Sequence, residues 1–228
     1  MGQRKKRHPL YALLIVLLTA FCLLGISFRL VLLPPVTTVI AQNTVNTGLS
    51  SVSYDELVKV AQMGRAFVAG EPGAQLPVGD DEKTAFPPDV VSHMEDVQKV
   101  IHNALIVTLV LMGLLLVVLL VAGLRAGKRT ISTGLAFGGI LAVVMVLVLS
   151  VLGFMNFDRL FIVMHELLFS QGNWTFAEDS LLICAYPLPF WIGMGAFWAV
   201  ALLVISAITT TLGFLLRRGG ARRSKKSS

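Results

Sequence analysis

Four apolar runs, each of roughly 20 residues or more, take up nearly half of the chain: Leu10 to Leu33, Ala104 to Leu124, Ile131 to Phe154 and Leu188 to Leu216. About 20 helical residues, rising about 1.5 Å each, cross a hydrocarbon layer about 30 Å thick, so every run is long enough to span a bilayer. Composition agrees, because 14% of the residues are charged where soluble domains carry about a quarter. The expected class is an all-α membrane protein with four transmembrane helices.

Charge sorts the segments between those runs by side. Thirteen of nineteen basic residues fall in three places: Arg4, Lys5, Lys6 and Arg7; Arg125, Lys128 and Arg129; and Arg217, Arg218, Arg222, Arg223, Lys225 and Lys226. None of the three segments holds an acidic residue, which makes them cytoplasmic by the positive-inside rule. All thirteen acidic residues lie in 34–103 and 155–187, which an even number of spans brings to the opposite, extracytoplasmic face. The predicted order is a basic tail (1–9), a first span (10–33), an extracytoplasmic cap (34–103), a second span (104–124), a cytoplasmic loop (125–130), a third span (131–154), an outer loop (155–187), a fourth span (188–216) and a basic tail (217–228). Both termini are expected on the cytoplasmic side. Anionic lipid headgroups account for the basic runs, so a formal net charge of +6 does not point to nucleic acid.

The first run follows a basic start, as in a signal peptide, but its 24 residues exceed the usual ~7–15 of a signal core and no A-x-A site follows. It reads as an anchor. Cys22 and Cys184 differ in expected depth, and a disulfide needs Cα atoms within about 7 Å, so no bridge is expected.

Within the cap, Thr37-Thr38-Val39-Ile40 reads as a short extended stretch. A helix begins near Ser53 or Asp55, and residues 70–80, rich in glycine and proline, form a loop. Pro87-Pro88 then opens a helix with no break before Gly123. Asp158 to Phe169 reads as an interfacial helix stopped by Gln171-Gly172-Asn173, and Gly134-x-x-x-Gly138 is a close-packing signal in the third span.

Two histidines, His93 and His165, flank spans on the same expected face, and acidic residues follow both. Imidazole, with an unperturbed pKa of about 6.5, suits proton transfer near neutrality. His93 and Asp96 share a helix face at three-residue spacing, so the carboxylate is a candidate support for the ring, as Glu166 is for His165. His102, nine residues on, points the opposite way and is read with Lys99 as an interfacial residue; His8 belongs to the basic tail. Arg29, the charge inside a span, has two readings: snorkelling to headgroups, or contact with a polar substrate group.

Other chemistries fail on their motifs. His165-Glu166 begins like a zinc-protease signature, but Phe169 stands where the second histidine is required. No G-x-S-x-G elbow occurs, and no histidine lies inside an apolar span to hold haem. No metal and no cofactor are expected.

Tyr54-Asp55-Glu56-Leu57-Val58, His93-Met94-Glu95-Asp96-Val97, His165-Glu166 leading to Asn173-Trp174-Thr175-Phe176, and Pro187-x-x-Phe190-Trp191, in this order around four spans, resemble the bacterial lipoprotein intramolecular transacylases. In one departure from the family pattern, Leu167 and Leu168 precede Phe169 where aromatics are expected directly after the His-Glu pair. The resemblance implies a diacylglyceryl-modified lipoprotein as partner and substrate, embedded in membrane lipid. The sn-2 acyl chain would move to the α-amino group of the same molecule, with no enzyme nucleophile. In that reaction, in a bacterial plasma membrane, His93 and His165 would be the acid–base pair, with either one as base, and Asp96 and Glu166 their supports. Asn173, or a backbone N–H near it, would face the oxyanion, Phe169, Trp174 and Phe176 would line the site or simply anchor at the interface, and Arg29 would meet the substrate on its second reading. The competing reading is a non-enzymatic four-span scaffold or sensor with a partner-binding cap. Oligomeric state is left open by the sequence.

Overall fold

The computed structural model describes residues 8–79, 84–169 and 172–226, with side chains described as far as Arg218. Arg4, Lys5, Lys6, Arg7 and Gln171, and the side chains of Arg222, Arg223, Lys225 and Lys226, lie outside the described residues. The described residues form helices and no strands: α1 (Pro9–Val31), α2 (Pro34–Thr44), α3 (Tyr54–Val68), α4 (Pro88–Arg125), α5 (Lys128–Met155), α6 (Phe157–Leu168), α7 (Leu181–Ala185) and α8 (Leu188–Lys226). Helices α1, α4 and α5, and the Leu188–Arg218 part of α8, are long and apolar enough to cross a membrane. The protein is an all-α membrane protein.

The segment 37–40 departs from expectation. It is helical, inside α2, rather than extended. Pro34 and Pro35 occupy the first turn, where proline's fixed φ is already helical and its missing N–H costs nothing. Leu33, just before them, is pushed to extended backbone, so α1 ends at Val31 and the span does not reach Leu33. Of the two threonines that suggest a strand, Thr38 bonds back along the helix, Oγ1 to Pro34 O at 2.9 Å, as Thr44 Oγ1 does to Ile40 O at 2.7 Å in the last turn. The short helix α7 carries no sequence signal beyond its Ser180 cap, whose Oγ accepts from Ile183 N.

The chain forms two compact units. The first comprises α1 up to Ser27, Ile106–Ser150 and the chain from Ala199. Its helices approach closely at small residues. Gly134 and Gly138 of α5 face Ile15 and Thr19 of α1, while Gly139 faces Ser206 and Thr210 of α8. Ile15, Val146 and Leu202 are fully buried in this unit, and leucines and valines of α4 such as Leu109, Val117 and Leu120 are exposed. An apolar surface of that kind suits lipid rather than water. The α4–α5 turn passes through Gly127 at φ 81°, a conformation that a side chain disfavours.

The second unit comprises Phe28–Leu105 and Val151–Trp198. Helix α3 starts with a capping box, in which Ser53 Oγ accepts from Glu56 N while the Glu56 carboxylate accepts from Ser53 N. Its Leu57, Val60, Ala61 and Val68 bury against Val90 and Met94 of α4, Cys184 and Ala185 of α7, and Tyr186 and Phe190. Cys184, like Cys22 of the first unit, is a free thiol. Tyr186 Oη donates to Ala61 O at 2.9 Å and would collide with a Cβ at Gly64, so the glycine admits the phenol. Arg65 is 7% exposed and donates to Leu32 O at 3.3 Å, to Gln62 Oε1 at 3.2 Å and through two nitrogens to Glu71. One guanidinium thus ties α3 to the corner between α1 and α2 and to the loop at 71.

Candidate active site

His93 reaches the interior of the second unit because its helix face is apolar. Val90, Met94 and Ile101 are buried around it, spaced by three, four and seven residues as on one face of a helix. His165 is the buried residue of α6, whose start is set by Asn156 Oδ1 accepting from Arg159 N at 2.9 Å. Exposures of 6% and 7% put both imidazoles out of bulk water.

The rings face one another with centroids 6.2 Å apart and planes 23° from parallel. Phe169 lies against both, 5.0 Å from His93 and 5.4 Å from His165. Phe176 is 5.4 Å from His93, and Trp174 is 5.1 Å from His165. Residues separated by up to 83 positions in the chain therefore converge on one aromatic box. Gly172, at φ 73°, helps turn the backbone from α6 toward Asn173 and Trp174.

Phe161 was not singled out by the sequence. It lies one helical turn before His165, its ring 3.9 Å from the imidazole centroid and its carbonyl oxygen 2.8 Å from His165 Nδ1. The i, i+4 spacing of an aromatic and a histidine was the available signal. A carbonyl only accepts, so Nδ1 carries the proton and Nε2 keeps a lone pair. Burial pushes the His165 pKa down, against the smaller upward pull of that carbonyl, so the neutral ring prevails at pH 7. His93 Nδ1 is buried without a partner.

The carboxylates are placed differently from the histidines. Asp96 Oδ1 accepts from Lys99 Nζ at 2.9 Å, and its Oδ2 lies 3.5 Å from Asn173 Nδ2; neither oxygen bonds His93. Lys99, expected at the lipid interface, is thus an ion-pair partner, while His102 is exposed. Glu166 is exposed beside Asp158 and Arg159, and the group bonded to His165 is the Phe161 carbonyl. Leu167 and Leu168 are also exposed, which leaves Phe169 as the ring reaching the histidines from that segment. Arg29 stands exposed in the last turn of α1. The Glu71 carboxyl is held below its ordinary range first by hydrogen bonds from Arg65 and, less strongly, by the charges of Arg65 and Arg29.

Fold and site together define a four-span membrane protein with a paired-histidine, aromatic-lined centre. Residues 11–191 match the family model of the lipoprotein intramolecular transacylase Lit. The chain belongs to that family and is an acyltransferase. An uncharacterized protein of Aquifex aeolicus (strain VF5) is 28% identical over 167 residues, 71% of this chain and 73% of that protein. Among solved structures, the membrane-integral lipoprotein intramolecular transacylase Lit from Bacillus cereus superposes with a TM-score of 0.72 at 19% identity, covering 94% of this chain and 97% of that one. A histidine-to-arginine variant of the same Bacillus cereus protein gives 0.69 at 18% identity, covering 96% and 94%. At these identities the structural likeness speaks for the fold.

Proposed function

We propose that this protein moves the sn-2 acyl chain of an S-diacylglyceryl-cysteine lipoprotein to the α-amino group of the same cysteine, with His165 as general base and His93 as general acid. The observation that carries this reading is a pair of buried imidazoles 6.2 Å apart, one of which has its tautomer fixed. A free α-amine has a pKa of about 7.7–8.0 and must lose a proton to attack an ester. His165 Nε2, its lone pair free because Nδ1 donates to Phe161 O, is oriented to accept that proton.

The amine nitrogen bonds to the ester carbonyl carbon, the bond from that carbon to the sn-2 oxygen breaks, and the proton that His165 took from nitrogen passes to the departing glyceryl oxygen through His93, a ring that burial keeps neutral until that proton reaches it. Protons balance: one leaves nitrogen and one reaches oxygen. Each such transfer contributes typically ~10²–10⁴-fold. Because donor and acceptor belong to one molecule, no acyl-enzyme is needed. Holding the two ends in reactive geometry is worth up to about 7–11 kcal/mol.

Phe161, Phe169, Trp174 and Phe176 surround the rings and leave little room for water, which favours attack by the amine over hydrolysis. On this reading the centre works on the extracytoplasmic side with both termini inside, an orientation that the distribution of acidic and basic segments supports, and Arg29, near the end of α1, suits a headgroup or a polar substrate group.

The test is mass spectrometry of lipoprotein N-termini in a host lacking N-acylation. Expression of the protein should convert diacylglyceryl peptides to the lyso form with one N-acyl chain. His165→Ala and His93→Ala should each cut that conversion by roughly 10²-fold or more at equal membrane abundance. Full conversion by either variant removes that histidine from the mechanism, and diacylglyceryl peptides left unchanged by the parent protein remove the reaction.

A further inference from the structure

Asn173 sits beside the aromatic box with its two amide ends in opposite situations. Nδ2 faces Asp96 Oδ2 at 3.5 Å, while Oδ1 is buried with no partner. Which end is which follows from chemistry. Asp96 is held by Lys99 Nζ at 2.9 Å, and a carboxylate in an ion pair offers acceptors only. A flipped amide would set oxygen against oxygen, so Nδ2 must turn to Asp96 and Oδ1 must turn away from it.

A buried oxygen with no donor is uncommon in a folded protein and calls for a donor from elsewhere. Of the reacting groups proposed above, the glyceryl ester offers only acceptors, whereas the α-amino group offers N–H donors. A developing oxyanion needs donors, and Oδ1, the unpartnered end of the Asn173 amide, can only accept, while Nδ2 faces Asp96.

We infer that Asn173 Oδ1 binds the α-amino group of the lipoprotein cysteine, and that Lys99, through Asp96, is the positioning residue that keeps this acceptor facing the substrate. Asp96 lies one turn from His93 on α4, and Asn173 adjoins Trp174, whose ring is 5.1 Å from His165. One amine N–H then goes to Asn173 Oδ1 while another is surrendered to His165 Nε2, and the nitrogen lone pair is left for the ester carbon. The inference rests on the transacylase reading and gives the site a specificity determinant: a primary amine rather than any nucleophile.

The experiment measures binding rather than turnover. Full-length protein in lipid nanodiscs is titrated with two cysteinyl peptides carrying ether-linked glyceryl chains, which cannot transfer; one has the free α-amine and the other has hydrogen in its place. The parent protein should prefer the amine peptide. Asn173→Ala should weaken the amine peptide by roughly 10-fold and the other by less than about 2-fold, the loss expected of one hydrogen bond to a charged group. Lys99→Met should remove part of the same preference, and Lys99→Arg should restore it.

An amine preference that survives Asn173→Ala overturns the contact, as does equal weakening of both peptides. One that survives Lys99→Met overturns the positioning role. Should Asn173→Ala fail to accumulate, Lys99→Met still reads the ratio, since that side chain is 68% exposed. Turnover of an ester-linked peptide by the parent protein, assayed in parallel, reports on the transacylase reading separately.

Discussion

The two units of the molecule are held together by different means. In the first, the described side-chain hydrogen bonds mostly close on their own helix, as Ser132 Oγ does to Arg129 O and Thr209 Oγ1 to Ile205 O, and contact between helices depends on glycine. Lipid is as apolar as leucine, so burying leucine against leucine gains little there, and close packing at small residues takes over. In the second unit, a capping box, a buried guanidinium with four hydrogen bonds and a box of rings fix the geometry. The lesson is that adding a methyl group is the sharpest perturbation of the first unit, and removing a charge is the sharpest perturbation of the second.

Gly138→Leu is expected to show the largest effect. Any Cβ there meets Thr19 and comes within 3.0 Å of Val16 O, a backbone atom that cannot rotate away. A loss of about 3 kcal/mol, at the upper end for overpacking, should appear in thermal unfolding in detergent. A near-native melting temperature would mean that the first unit has slack the glycines do not reveal.

Arg65→Met comes next. It keeps most of the volume but strips Leu32 O, Gln62 and Glu71 of their shared donor, and should cost about 2 kcal/mol. The same swap at exposed Arg218 should cost nothing measurable, so equal losses would erase the contrast between buried and exposed charge.

The smallest expected effect is on pH dependence. His165 titrates below its ordinary value, so it is already neutral where the substrate amine is still protonated. The N-acylation rate should therefore rise with pH up to about 8, tracking the amine's pKa of about 7.7–8.0 rather than the imidazole's of about 6.5. A peptide with a less basic α-amine should shift that limb to lower pH. A limb fixed near 6.5 for both peptides would assign it to a histidine instead.

Much of this was legible in the sequence. Four long apolar runs dictate four helices, because hydrophobic length is a local property. The convergence of His93 and His165 was legible only as a matter of shared membrane side. Their 6.2 Å separation depends on how α4 and α6 pack, which no local pattern encodes.

In helix α2, β-branched Thr37, Thr38, Val39 and Ile40 favour a strand, and the preceding Pro34-Pro35 outweighs that propensity. The carboxylates were expected to orient the histidines because sequence proximity on a helix suggests contact. Asp96 instead found Lys99 one turn on, and Glu166 faces away from the buried ring. A partner supplied by the backbone, such as the Phe161 carbonyl, leaves no mark on residue identity at all.

That last bond has an evolutionary corollary. Every amino acid brings the same oxygen to position 161, so mutation there can strip away the ring that stacks on His165 without disturbing which nitrogen of the imidazole is bare. The protonation pattern at His165 is inherited with the helix itself, and relatives that have replaced the phenylalanine should keep it.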